Sequence, residues 1–76
     1  GAELRVLAHL VRKIGHVVSR SELTEVALGR TLELYDRSID THVSNLRRKL
    51  GMTNSADIEI RSVRGAGYQL IPPATH

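Results

Sequence analysis

The chain has 76 residues and no cysteine, and its formal net charge of +3 accompanies an isoelectric point near 10.0. This length predicts one small domain with a thin core, so a large catalytic cleft is not expected. The basic balance favours an anionic partner such as nucleic acid or an acidic membrane. The missing cysteines exclude disulfides, thiolate zinc sites and thiol catalysis. Because no membrane span or signal-peptide pattern occurs, we expect a cytoplasmic protein without a membrane partner.

Two helices are predicted in the first half of the chain. Apolar residues recur at helical spacing over residues 2–14, and Gly15 follows the last of them. A second helix is expected over residues 20–28, where Ser19 and Glu22 have the spacing of a capping box and Gly29 ends the element. Residues 16–18 between the helices are short and extended in character. The apolar residues concerned are Leu4, Leu7, Val11 and Ile14 in the first helix, and Leu23, Val26 and Ala27 on the inward face of the second.

A third helix, predicted over residues 36–50 with Asp36 as its cap, has two contrasting faces. At about 100° per residue, one narrow face is apolar and can anchor to a core. The opposite face carries donors and short polar side chains, and it lacks the regular Glu and Lys pairs of a merely solvated helix. This second face could contact DNA. The apolar face comprises Ile39, Val43, Leu46 and Leu50, and the polar face comprises Arg37, Thr41, Ser44 and Arg48 with Asn45 beside it.

The last third of the chain predicts a β-hairpin. A polar stretch with Asn54, Ser55 and Asp57 precedes residues 58–63, which alternate apolar and polar. Residues 64–67 supply a glycine-containing turn, residues 68–71 a returning strand, and Pro72 and Pro73 end regular structure. Three helices followed by such a hairpin make an α+β winged helix-turn-helix fold. Its third helix enters the major groove of DNA, and its hairpin, called the wing, reaches an adjacent groove or the phosphate backbone.

The residues of these two elements resemble a known family. Arg37-x-Ile39-Asp40-x-His42-Val43-x-x-Leu46-Arg47-Arg48-Lys49-Leu50, followed by Ile60-x-x-Val63-Arg64-Gly65-x-Gly67-Tyr68, is similar to the effector domain of the OmpR/PhoB class of two-component response regulators. The resemblance implies sequence-specific binding of double-stranded DNA as the output domain of a transcription regulator, with no cofactor. It extends from the first helix to Tyr68.

The resemblance also implies roles for individual residues. Thr41, Ser44, Asn45 and Arg48 match positions that face the major groove, where Asn45 could bond both edge atoms of an adenine. Arg37 and Arg47 match phosphate-contacting positions. Arg64 at the tip of the wing matches an arginine that family members insert into a narrow minor groove. The connection over residues 30–35 exceeds the usual 3 to 4 residues; by analogy it would touch RNA polymerase through Glu33, Leu34 and Tyr35.

Further partners follow only from the resemblance. We expect residues 1–76 to be one winged-helix domain of a longer protein, lacking the family's receiver domain and the small sheet that precedes the first helix, which would cover apolar surface there. The full-length protein would form a homodimer on tandem direct-repeat half-sites and would receive its signal from a cognate histidine kinase through the receiver.

Several conspicuous residues have simpler interpretations. Asp40 is expected to satisfy the helix dipole or to pair with Arg37 or Arg47 rather than to contact a base. The histidines have no ligand spacing, so no metal site is predicted. Gly65 and Gly67 lack the following helix of a dinucleotide fingerprint and are better explained by positive backbone dihedrals in the turn. Tyr68 is expected to pack in the core.

Two other functional classes remain. A winged helix can present the same helix to an acidic protein, so a protein-interaction module is the alternative, which the salt dependence of DNA binding would distinguish. An enzyme is the weakest option, because Asp40 and Ser44 share one helix from which His42 points elsewhere.

Overall fold

In the computed structural model, which describes residues 1–52 and 58–72, three helices pack against one small sheet. Helix α1 spans Ala2–Arg12, α2 spans Arg20–Leu28 and α3 spans Ser38–Met52. Strands β1, β2 and β3 span Val17–Val18, Glu59–Val63 and Gly67–Ile71. The three predicted helices and the predicted hairpin are therefore present, although α1 ends two residues earlier than expected and α3 begins and ends two residues later. The predicted polar stretch with Asn54, Ser55 and Asp57 lies outside the described residues, as does Pro73.

The sheet has one more strand than the sequence predicted. Its order is β1-β3-β2 with both pairings antiparallel, so the extended segment 16–18 joins the hairpin through β1. The backbone N–H of Gly15 donates to the Leu70 carbonyl at 2.9 Å, and the Gln69 amide donates to the Gly15 carbonyl at 2.7 Å. These bonds fix the end of α1 on the central strand, so the wing is built onto the helical part of the domain.

The core lies where the three helices meet the inner face of the sheet. The buried faces of α1 and α2 differ from those predicted from the sequence. In α1, Val6 and Leu10 are buried while Leu4 and Val11 are exposed, and in α2, Thr24 is buried while Val26 is exposed. Helix α1 carries apolar residues on more than one side, so spacing alone did not identify the inward face. The buried hydrophobic residues are Val6, Leu10, Val18, Leu23, Ala27, Ile39, Val43, Leu46, Ile60, Tyr68 and Leu70.

The start of α2 differs in part from the predicted capping box. The Glu22 backbone N–H donates to Ser19 Oγ at 3.0 Å, as predicted. The Glu22 carboxylate instead contacts α1 and the residue that follows it, with Oε2 at 2.5 Å from His9 Nε2 and 3.0 Å from Lys13 Nζ. The hydrogen bond with His9 has the largest effect on the pKa of Glu22, and together with the bond from Lys13 it lowers this pKa. His9 of α1 and Lys13 just after it thus replace the local bond that the sequence pattern predicted.

Gly67 is required where the wing meets β1. Its φ is +147°, and a Cβ at this position would lie 2.1 Å from the Val18 carbonyl oxygen and 2.8 Å from the Ser19 Cα. Gly65 also has a positive φ, +76°, but space is open around it. The positive dihedrals predicted for the two turn glycines are present, and Gly67 additionally allows two backbones to approach closely.

Candidate nucleic-acid interface

The side of α3 that points away from the core carries the predicted groove-facing residues. We call Arg37, Thr41, Ser44 and Arg48, all exposed, the outer face. Arg37 precedes the first turn of α3 rather than lying within the helix, and its carbonyl accepts from the Thr41 N–H at 3.0 Å and the Thr41 hydroxyl at 3.1 Å. The opposite side is buried through Ile39, Val43 and Leu46, as predicted. The described side chains therefore give α3 a polar, basic surface from Arg37 to Arg48.

The N-terminus of α3 is fixed by the connection that precedes it. The Ser38 N–H donates to Asp36 Oδ1 at 3.0 Å, so Asp36 caps the N-terminus of α3, but it does so from two positions before the first helical residue. Arg30 forms an ion pair with the Asp36 carboxylate and donates to Ser38 Oγ at 3.0 Å. The hydrogen bond from Arg30 holds the pKa of Asp36 well below its usual value. Within this connection, Leu34 and Tyr35 are the most exposed large hydrophobic residues described, at 84% and 91%.

One flank of α3 is attached to the sheet through Arg47. The guanidinium donates to the Ile60 carbonyl from Nε at 2.9 Å and from Nη2 at 2.7 Å, and Nη2 also reaches Ser62 Oγ at 2.9 Å. Its Cζ lies 5.8 Å from the centre of the Tyr68 ring, within cation-π range. Arg47 was predicted to contact phosphate, but three of its five N–H groups are bonded to β2. The two N–H groups on Nη1 take no part in these bonds.

Asp40 joins three elements on the same flank. Its carboxylate accepts from Arg20 of α2 at 2.7 and 3.2 Å and from the Tyr68 hydroxyl of β3 at 2.5 Å. Burial disfavours its ionisation, but the bonds from Tyr68 and Arg20 outweigh this effect and lower the pKa of Asp40. Burial, with the bond to Asp40, raises the pKa of Tyr68 to about 12. Asp40 lies in the first turn of α3, as expected, and the charge of Arg37 helps to lower its pKa. Its hydrogen-bond partner among the arginines is nevertheless Arg20, which crosses from the preceding helix, and not Arg37 or Arg47.

The other flank of α3 contacts the first turn of α1. Glu3 accepts from Lys49 Nζ at 2.7 Å and from Asn45 Nδ2 at 3.3 Å, and His42 Nδ1 lies 4.0 Å from its carboxylate. Asn45 Oδ1 in turn accepts from Arg48 Nη2 at 2.8 Å. The hydrogen bond from Lys49 lowers the pKa of Glu3 despite the opposing effect of burial. Asn45 is therefore half-buried beside the outer face and already bonded on both sides of its amide.

Arg64 stands at the tip of the wing. It is exposed between Val63 and Gly65, and the turn is closed by the Ala66 N–H, which donates to the Val63 carbonyl at 3.0 Å. An open cleft separates the tip from the start of α2, and Ser19 and Ser21 line its far side. Within the described parts of the chain, Arg64 has no hydrogen-bond or ion-pair partner. Its charge is free to meet an external anion.

Two side chains that organise this surface were not recognised from the sequence. The bond from Arg20 to Asp40 joins residues 20 positions apart, and the bonds of Glu3 with Asn45 and Lys49 join residues 42 and 46 positions apart. No local spacing in the sequence therefore marks Arg20 or Glu3. Across residues 1–52 and 58–72, no three side chains of His, Asp or Glu come together as a metal site would require. None of the described helices has the length and apolar character needed to cross a membrane.

The family model for the C-terminal part of transcriptional regulatory proteins matches residues 1–70. The chain belongs to this family. Together with the relatives and solved structures given below, this match confirms the predicted OmpR/PhoB-type resemblance, the winged-helix fold and the assignment as a DNA-binding domain of a transcription regulator rather than an enzyme.

The relatives of this family member include the regulator CpxR, which α3 and the preceding Leu28-Gly29 also resemble. The chain is 41% identical over 71 residues to "Transcriptional regulatory protein CpxR" of Klebsiella pneumoniae, covering 93% of this chain and 31% of the relative. It is 43% identical over 68 residues to the phosphate regulon regulator PhoB of Rhizobium meliloti, covering 90% of this chain and 30% of that protein. The chain thus spans about three tenths of the length of these curated relatives.

Two solved structures share the fold of this family member. The DNA-binding domain of CpxR from E. coli superposes with a TM-score of 0.84 at 38% identity, covering 96% of this chain and 72% of that one. The RstA DNA-binding domain of Klebsiella pneumoniae, solved in complex with the RstA box, gives 0.80 at 33% identity, with 93% and 70% covered.

Proposed function

We propose that this domain binds double-stranded DNA sequence-specifically, with α3 in the major groove and the tip of the wing in the minor groove. The observation that carries the proposal is the outer face of α3, which from Arg37 to Arg48 is exposed, basic and free of large apolar groups. Arg64 adds a further exposed positive charge at the tip of the wing. The match to the RstA DNA-binding domain, solved in complex with the RstA box, supports DNA binding by a domain of this fold.

We assign different tasks to the residues of this surface. Thr41, Ser44 and Arg48 would meet base edges or phosphates directly, and Asn45 would offer a donor and an acceptor to adenine. Arg37 would contact phosphate at the start of α3. Arg47 would hold the wing through Nε and Nη2 while its Nη1 group meets a phosphate. Arg64 would enter the minor groove, where a narrow A/T-rich groove attracts cations.

The connection between α2 and α3 is proposed as a contact for RNA polymerase through Glu33, Leu34 and Tyr35. Its support is exposure: Leu34 and Tyr35 project from a segment that Arg30 and Asp36 hold in place. Isolated exposed apolar residues are common, but two adjacent ones on a fixed loop are suited to a protein contact.

The remaining proposals concern the whole protein. As an output domain of a response regulator, it would act in the cytoplasm, bind tandem direct-repeat half-sites as a homodimer and be controlled by a receiver domain that a histidine kinase phosphorylates. Residues 1–76 would form a single domain within that protein. Family membership supports each of these statements.

Binding to labelled duplexes tests the proposal. The domain is used to select duplexes from a random pool, and fluorescence anisotropy then compares selected with random sequence from about 50 to 200 mM salt. We expect tighter binding to the selected duplex and a linear fall of log K with log salt, with a slope of about −0.9 for each phosphate contact. Binding that is absent or independent of salt in a folded sample would contradict DNA readout and favour the protein-interaction alternative.

A further inference from the structure

The carboxylate of Glu3 reaches out of α1 to the helix proposed to read DNA. Glu3 lies in the first turn of α1, yet both of its oxygens contact α3: Oε1 accepts from Lys49 at 2.7 Å and Oε2 from Asn45 at 3.3 Å. Its side chain is only 25% exposed, so it lies between the two helices. A single acidic residue thus faces the helix flank next to the outer face.

The α3 residues that face Glu3 form one line along the helix. His42, Asn45 and Lys49 are separated by three and four positions, the spacing that places side chains on the same side of a helix. Lys49 is bonded to Glu3 by charge and hydrogen bond, while His42 Nδ1 approaches its carboxylate to 4.0 Å. Glu3 is therefore anchored by Lys49, and the anchored carboxylate is a fixed acceptor for the Asn45 amide.

The two contacts of Asn45 define which way its amide faces. The Nδ2 group points to Glu3 and the Oδ1 atom to Arg48, at 3.3 and 2.8 Å. A side-chain amide has two donor hydrogens and two acceptor lone pairs, so one of each is left for a base. Paired bonding to adenine requires the donor and the acceptor in a fixed order. Rotation of the amide by 180° would exchange them and remove the match.

We propose that Glu3 is a positioning residue that sets base specificity by orienting the Asn45 amide before DNA is bound. The inference rests on the proposed function, in which Asn45 reads a base edge. Glu3 itself does not contact DNA. It acts through Asn45, and Lys49 keeps its carboxylate in place.

The charge of Glu3 gives this role a distinctive signature. A carboxylate beside a DNA-binding surface repels phosphates and also neutralises Lys49, which would otherwise be available to the DNA backbone. Loss of Glu3 should therefore strengthen binding to random sequence while weakening discrimination between bases. A residue needed only for folding would instead weaken binding to every sequence.

The test uses the full 76-residue chain and two substitutions of Glu3. Glu3→Ala removes the acceptor and the charge, whereas Glu3→Gln removes the charge but keeps an acceptor oxygen. Glu25→Gln, on the exposed surface of α2, is the charge-matched control. Anisotropy measures affinity for the selected duplex, for duplexes with each other base at the position that Asn45→Ala affects, and for random sequence. Thermal unfolding and the NMR signals of the Asn45 side-chain amide are recorded without DNA.

We expect Glu3→Ala to reduce the preference for the correct base by roughly 5-fold or more, the lower limit for loss of a bidentate contact. Glu3→Gln should restore most of that preference, and both variants should bind random duplex more tightly than Glu25→Gln does. In the Asn45→Ala background, Glu3→Ala should leave base preference unchanged. The Asn45 amide should be rigid in the wild type and in Glu3→Gln, and mobile in Glu3→Ala.

Two results would overturn the inference. An Asn45 amide that is equally rigid with and without Glu3 would show that the carboxylate does not orient it. An equal loss of affinity for all duplexes, or the same effect of Glu3→Ala with and without Asn45, would show that Glu3 acts by another route. If Asn45→Ala itself leaves base preference unchanged, the base contact in the proposed function fails, which is a separate result from a failure of Glu3 alone.

Discussion

Arg37, Ser44 and Arg64 have side chains without a hydrogen-bond partner among the described residues, whereas Asp40, Asn45 and Arg47 are each bonded to another element of the fold. The first group occupies the outer face of α3 and the tip of the wing, and the second occupies the two flanks of α3. A free cation can contact a phosphate without breaking an existing bond, while a bonded side chain brings a fixed orientation. The difference indicates that the interface combines adaptable contacts with preorganised ones.

The largest effect is expected where the wing is attached to β1. Gly67→Ala would place a Cβ at 2.1 Å from the Val18 carbonyl oxygen. Because this oxygen belongs to the backbone, no side-chain rotation can relieve the clash. We predict a loss of about 4 kcal/mol or more in the free energy of unfolding, measured by urea denaturation, with loss of DNA binding. Gly65→Ala, which meets no atom within 4 Å, should cost only about 1 to 2 kcal/mol for its positive φ. Equal losses would contradict the close approach at Gly67.

A smaller loss is expected from the flank of α3 that faces the sheet. Tyr68→Phe removes the donor to Asp40 and should cost roughly 1 to 3 kcal/mol of folding stability near neutral pH. Because the pKa of Tyr68 is raised to about 12, its contribution is complete below about pH 10 and is lost as the pH rises through 12. The stability difference between wild type and variant should therefore shrink between these pH values in denaturation curves. A constant difference would argue against the bond.

The wing tip should show the opposite behaviour, in which binding changes but folding does not. Arg64→Ala is expected to weaken binding to the selected duplex by roughly 1 to 3 kcal/mol and to reduce the salt slope by about one unit. The temperature of unfolding should stay unchanged, because the side chain has no partner in the described parts of the protein. Arg12→Ala, on α1, is the matched control and should leave affinity within about 0.5 kcal/mol. Unchanged affinity and slope for Arg64→Ala would remove the wing from the interface.

The smallest effect on DNA binding is expected in the connection before α3. Leu34→Ala and Tyr35→Ala alter side chains that are 84% and 91% exposed, so stability and DNA affinity should each change by less than about 0.5 kcal/mol. Promoter activation with purified RNA polymerase should nevertheless fall. A loss of DNA affinity in either variant would place this loop at the DNA instead.

Local sequence patterns predicted most of the elements but fewer of their contacts. The apolar spacing of α3 correctly identified Ile39, Val43 and Leu46 as its buried side, and the alternation of β2 identified Ile60. In α1, apolar residues occur on more than one side, so the exposed Leu4 was included in the predicted stripe while Val6 was overlooked. The two-residue β1 was too short to be recognised as a strand, because only its pairing with β3 defines it.

The candidate site was predictable to the extent that its residues lie on one helix or in one turn. Helical spacing placed the outer face, and the turn glycines placed Arg64. The hydrogen-bond partners of the flank residues come from distant segments of the chain. Asp40 accepts from Arg20, Arg47 donates to Ser62, and Asn45 donates to Glu3. Such bonds depend on how helices and strands pack, which no local spacing encodes. The DNA contacts of the individual residues stay predictions.

NMR chemical-shift mapping of the 15N-labelled domain during titration with the selected duplex tests the proposed binding surface most directly. We predict that the largest shifts follow the outer face and the wing, at Thr41, Ser44, Arg48 and Arg64, while the distant surface of α1 and α2 around Arg12 and Val26 stays unchanged. Shifts concentrated around Arg12 and Val26, with the outer face of α3 unaffected, would contradict DNA recognition by this helix.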